Sequence, residues 1–93
     1  MQITVELDSL SRLETGHNEV VISVATGATG QDVLRALVAA LPKLAQTSID
    51  PLKGELYDEE SWLAYENRVG IRDLSAPLQL VDGSRLLLLT DSC

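Results

Sequence analysis

The chain has 93 residues, 45% hydrophobic and 23% charged, which is enough for one domain around a modest core and ordinary for a globular protein. Fourteen acidic against seven basic side chains give a formal charge of −7. That balance argues against nucleic acid and anionic membrane as partners, since their phosphates would be repelled, and favours a basic protein surface. The absence of Phe, with one Trp and two Tyr, leaves Leu and Val to build an aliphatic core.

Met1 to Leu7 alternates, with Met1, Ile3, Val5 and Leu7 on one side and Gln2, Thr4 and Glu6 on the other, the period of a half-buried strand. Residues 8–18 read as a polar loop whose Leu10 and Leu13 could fold back onto the core. Glu19 to Val24 is β-branched and predicts a second strand, paired antiparallel to the first. Thr29 with Asp32 three residues later resembles a capping box, so a helix is predicted from Gly30. Val33, Leu34, Leu37, Val38 and Leu41 recur at spacings of three and four along it, forming a stripe that must cover a sheet, and Pro42 marks its end.

Residues 43–60 carry weak signals and read mostly as loop, with turns at Asp50-Pro51 and Lys53-Gly54 and an exposed acidic run, Asp58-Glu59-Glu60. Trp62 to Tyr65 and Arg68 to Arg72 predict two short strands around Glu66-Asn67. Leu74 to Leu80, holding Pro77, is a compact connection before a turn at Asp82-Gly83. Arg85 to Leu89, four leucines in succession, reads as a strand buried on both faces in the middle of the sheet. Only Thr90-Asp91-Ser92-Cys93 follow.

The single cysteine cannot form an internal disulfide, no charged segment followed by an apolar stretch opens the chain, and no apolar run approaches the roughly 18–20 residues of a membrane helix. The expectation is a soluble cytoplasmic protein. His17 has no second His or Cys at ligand spacing and reads as a loop residue. Adjacent carboxylates at 58–60 do not converge on a cation, so neither metal nor cofactor is expected. Thr26 to Gly30 lacks the Gly-Lys-Ser/Thr ending of a phosphate loop. Trp62 and Tyr65 could anchor a partner, but burial is the favoured reading. Near Cys93, Asp91 and a terminal carboxylate both disfavour the thiolate, so its thiol reads as inert. No nucleophile and base are set together, and no catalytic centre is expected.

Strand, strand, helix, short strands, Pro-containing connection, Asp-Gly turn and final strand is the order of an α+β, ubiquitin-like β-grasp fold. It implies a mixed four- to five-stranded sheet packed on one main helix, in a single domain over residues 1–93. Glu14-Thr15-Gly16, the strand Val20 to Val24, Gly27-Ala28-Thr29 leading into Asp32-Val33-Leu34, and Ala76-Pro77-Leu78 before Asp82-Gly83 resemble the sulfur carriers of molybdopterin and thiamine biosynthesis, the MoaD and ThiS type.

That resemblance implies a non-enzymatic protein whose terminal carboxylate is adenylated by a partner, converted to a thiocarboxylate and used as a sulfur donor. It implies docking on an adenylating, E1-like enzyme or a synthase through an apolar sheet face near Val69, Ile71 and Leu87, with Arg68, Arg72 and Arg85 at the border. The family ends in Gly-Gly, which lets an extended tail thread a narrow channel. Here Asp91, Ser92 and Cys93 would occupy it, with the carboxylate of Cys93 accepting the adenylate. The altered tail keeps a second reading open: a ubiquitin-like interaction or regulatory module, an accessory subunit that has lost the chemistry.

Overall fold

The protein is described by a computed structural model covering residues 1–8, 10–58 and 60–90, with the main chain alone at Leu10. β1 (Gln2–Asp8) and β2 (Glu19–Ser23) pair antiparallel, with Ile3 opposite Ile22 and Val5 opposite Val20. The expected alternation is present: Ile3, Val5 and Leu7 are buried on one face, while Gln2 and Glu6 lie exposed on the other. β6 (Arg85–Leu89) runs parallel to β1, and β5 (Trp62–Tyr65) runs antiparallel to β6, giving a mixed sheet of order β2-β1-β6-β5. The interior place of β6 explains its four leucines. Leu86 and Leu88 enter the core, and Leu87 is nearly as buried on the opposite face.

α2 (Gly30–Ala40) lies across the inner face and buries Val33, Leu34 and Leu37 against the sheet. Each such side chain contributes roughly 1.5–3 kcal/mol by leaving water. The capping box is formed: the Asp32 N–H donates to the Thr29 hydroxyl at 3.2 Å, and the Thr29 N–H donates to the Asp32 carboxylate at 3.0 Å. The helix stops at Leu41, whose N–H reaches the Leu37 carbonyl, one residue before Pro42.

The bond from the Thr29 N–H, and next the one from its hydroxyl, hold the Asp32 carboxyl below its usual range against slight desolvation. A depressed folded-state pKa adds stability that is fully present above the ordinary aspartate value of about 4 and is lost as pH falls through the folded value. Thermal midpoints followed down the acid limb are expected to fall less steeply in Asp32→Asn than in the parent. Equal slopes would show that the box carries none of the acid sensitivity.

Three segments depart from expectation. The loop at 8–18 contains a short helix, α1 (Leu10–Thr15), and Leu13 points into solvent rather than onto the core. Its turn is held by hydroxyls, Ser11 Oγ donating to the Asp8 carbonyl and Thr15 Oγ1 to the Ser11 carbonyl, so apolar periodicity could not reveal it. Residues 43–60 are structured: α3 (Leu44–Thr47) leads into a separate two-stranded sheet, β3 (Ile49–Asp50) against β4 (Glu55–Leu56), and Leu44 and Ile49 close one end of the core. The two turns expected there are the single reversal between β3 and β4, braced by Asp50 Oδ1, which accepts the Leu52 and Lys53 N–H groups.

The strand expected over Arg68 to Arg72 reduces to one bridge, Gly70 to Ala64, because the chain turns through Arg68 at φ +68°. Around it the Tyr65 N–H still donates to the Val69 carbonyl and the Ile71 N–H to the Leu63 carbonyl. The following connection is pinned beside the start of α2, the Gln31 N–H donating to the Leu74 carbonyl and the Leu78 N–H to the Ala28 carbonyl. Among the described residues no helix is long and apolar enough to cross a membrane.

Candidate functional site

Because α2 covers only one face of the sheet, the side chains that alternate away from it form a second face that this helix leaves uncovered. Register places Leu87 between Glu6 and Ala64, Leu89 between Asp8 and Trp62, and Arg85 beside Thr4. The middle of this face is apolar. Ala64 and Leu87 are closely covered, whereas Trp62 is 47% exposed, its indole lying against the backbone of Gly70. The favoured reading of Trp62 as a core residue is thus corrected: strand parity turns it outward, and a glycine supplies the flat bed for its ring. Tyr65, of opposite parity, packs on the core.

Charges border the strip. Glu6 and Glu19 are directly opposite across β1 and β2, an arrangement that would repel. Arg85 Nη2 sits between them, 2.9 Å from Glu6 Oε1 and 2.7 Å from Glu19 Oε2. The bond to Glu19 first, and then the one to Glu6, raise the guanidinium pKa further. On the other side Arg68 joins Leu87 and Leu89 in a shallow groove walled by Glu6, Asp8 and Glu19, with Arg12 at its edge. The surface is charge-mixed.

The six residues expected to bind a partner divide. Arg68, Arg85 and Leu87 share the uncovered face. Val69 is exposed beside the β5 edge, while Ile71 packs inward on the core. Ile71 and Arg72 line a different groove, beyond Trp62 and beside Asp73. The separation arises because residues 68–72 do not continue as a strand. Glu6, Asp8 and Glu19 were missed, although the alternation of β1 already turns Glu6 and Asp8 to this face.

Arg68 occupies the left-handed region, where a glycine meets no steric cost and an arginine does. Arg68→Gly is expected to raise unfolding free energy in denaturant melts by about 1 kcal/mol. An unchanged or lowered value would mean that contacts of the arginine outweigh its backbone strain.

The end of β6 is held at a fixed point. Thr90, 8% exposed, donates its hydroxyl to the Asp8 carbonyl at 2.7 Å and accepts the Ser11 N–H at 3.0 Å. The end of β6 is thereby fastened to the turn that opens α1, at the rim of the apolar strip. Asp91, Ser92 and Cys93, the expected reactive tail, lie outside the described residues.

No family model matches the chain, and no curated protein matches it in sequence. Solved structures do. The chain is similar to the crystal structure of SAMP1 from Haloferax volcanii, at 25% identity and a TM-score of 0.77, over 98% of this chain and 96% of that one. A second crystal structure, of H. volcanii small archaeal modifier protein 1, aligns at 26% identity and a TM-score of 0.72, over 94% of this chain and 93% of that one. The solution structure of the Haloferax volcanii HVO 2177 protein aligns at 24% identity and a TM-score of 0.70, over 95% and 80% of the two chains, a likeness of fold alone. The fold class is therefore the ubiquitin-like β-grasp that the order of elements implied. The solved neighbours are small modifier proteins of that class.

Proposed function

We propose that this chain is a small, non-catalytic carrier or modifier of the ubiquitin-like class, one domain in extent, that docks on a protein partner by the uncovered face of its sheet. Arg68 and Leu89 form the contact over the nearly buried Leu87, Arg85 with its two glutamates sets the border, and Val69 and Trp62 extend it. The partner is of adenylating, E1-like, or synthase type, and it receives the residues beyond Thr90. The observation that carries this reading is the hydroxyl clamp at Thr90, which fastens the end of β6 at the edge of an apolar strip. A similarity spanning nearly the whole of a small archaeal modifier protein supports it.

In the chemistry proposed, an oxygen of the protein's terminal carboxylate attacks the α-phosphorus of ATP and pyrophosphate leaves. Sulfide then attacks the acyl carbon and AMP leaves, giving a thiocarboxylate. Intact-mass spectrometry after incubation with ATP, sulfide and a candidate adenylating enzyme is expected to show one sulfur-for-oxygen exchange, slowed in Arg68→Glu at unchanged thermal midpoint. An unchanged mass with no binding would defeat the proposal. An unchanged mass with stable binding selects the second reading, an interaction or regulatory module. That reading is favoured by the bulk of Asp91, Ser92 and Cys93, which follow β6 without a glycine.

A further inference from the structure

The two edges of the main sheet are treated differently. Along β5 the chain covers its own edge, through the Tyr65 N–H to the Val69 carbonyl, the Ile71 N–H to the Leu63 carbonyl and the Gly70 bridge. Along β2 nothing does so among the described residues. Met1 and Val24 exchange both their backbone hydrogen bonds, and the Leu7 N–H donates to the Asn18 carbonyl. In an antiparallel ladder the hydrogen-bonded pairs recur every second residue, so Ile3–Ile22 and Val5–Val20 are the pairs between. The N–H and C=O groups of Glu19, Val21 and Ser23 therefore point away from β1, along the open edge.

This edge lacks the features that blunt an exposed strand: β2 has no Pro, no Lys and no bulge. Its one charge, Glu19, is bound by Arg85 of the same chain. Its central side chain, Val21, is 57% exposed on the uncovered face. The strand is also self-complementary. Antiparallel pairing of two copies about a two-fold axis at Val21 sets Val21 against Val21 and Glu19 against Ser23, with no like charges opposed. Three outward residues on each copy then form roughly six inter-chain hydrogen bonds.

We propose that the β2 edge is a homodimer interface, joining two sheets into one continuous layer through Val21. The uncovered faces of both copies lie on the same side of that layer, so a dimer presents two docking strips together. The charge of −7 on each copy opposes association at low salt. Pairing should therefore tighten as ionic strength rises from about 0.1 M to about 1 M, where the screening length falls from roughly 10 Å to roughly 3 Å.

Analytical ultracentrifugation of the full chain over a concentration series at both salts tests this. The expected result is a monomer–dimer equilibrium that strengthens with salt. Val21→Pro removes an N–H that the fold does not use and is expected to weaken the dimer about tenfold or more at an unchanged thermal midpoint. A second pair of variants does not depend on tolerance of proline: Val21→Lys and Val21→Glu should each dissociate alone, by like charges across the axis, and pair when mixed. A wild-type chain that stays monomeric at millimolar concentration in both salts overturns the proposal, whether or not the edge accepts a foreign peptide. So does a dimer indifferent to Val21→Pro or to mixing of the charged variants.

Discussion

Replacing Leu88 with Asp is expected to leave the chain unfolded at 25 °C, without a cooperative thermal transition by circular dichroism. Leu88 is fully buried, paired through the backbone with Leu7 on one side and Leu63 on the other, and faces the α2 stripe. A carboxylate there has no cation within the aliphatic core, so it must be buried unpaired or take up a proton, and either costs several kcal/mol. The loss of packing adds to this. Leu88→Ala, which only leaves a cavity, is expected to cost about 2–5 kcal/mol and to remain folded under mild conditions. A total stability of about 5–15 kcal/mol survives the second change more readily than the first. A cooperative melt of Leu88→Asp near the parent temperature would refute the interior position of β6.

The second large effect is expected at Gly54. It is buried at φ +64°, and a methyl group there would come 2.9 Å from Gln31 Cβ and 3.1 Å from both Gln31 Cα and the Gln31 carbonyl oxygen. Those atoms belong to the first turn of α2, fixed by the Thr29–Asp32 box and by the bond from the Gln31 N–H to the Leu74 carbonyl, so they cannot move aside cheaply. Gly54→Ala combines left-handed strain with overpacking, about 2–4 kcal/mol together. The thermal midpoint should fall by at least about 8 °C. Gly27→Ala is the matched control: its φ is +81°, yet a methyl group there meets nothing within 4 Å, so it should lose only the conformational part. Equal losses at the two positions would mean that the close approach to Gln31 carries no weight.

Strong local periodicity made some elements readable from residues alone. Ile3, Val5 and Leu7 alternate over a whole strand, Val33, Leu34 and Leu37 keep one helical stripe behind a capping pair, and the leucines of β6 leave no exposed face to choose. Those three elements define the β-grasp order. α1 and β3 gave no such signal, since one is a single hydroxyl-braced turn and the other is two residues long, with Ile49 placed by tertiary packing.

The candidate site was harder for a different reason. Arg85 and Leu87 alternate along β6, but the ionic partners of Arg85 come from β1 and β2, and the register joining them is a property of the folded sheet. Ile71 and Arg72 lie apart from that face because the chain turns through a left-handed Arg68 instead of continuing as a strand, and a non-glycine residue gives no warning of positive φ. Trp62 turns outward by strand parity, and the Gly70 bed that accepts it lies eight positions on, beyond any local pattern.

The parallel pairing of β1 with β6 carries a consequence for biosynthesis. Thr4 finds its neighbour in Arg85 and Asp8 in Leu89, so β1 must wait for β6 to be translated. While the ribosome still holds residues 85–89, β1 has only β2 to pair with, and the face meant for the leucines is open. The layer cannot close until Leu89 clears the exit tunnel, so β1 and β2 stay without their central neighbour for as long as the residues between are being synthesised.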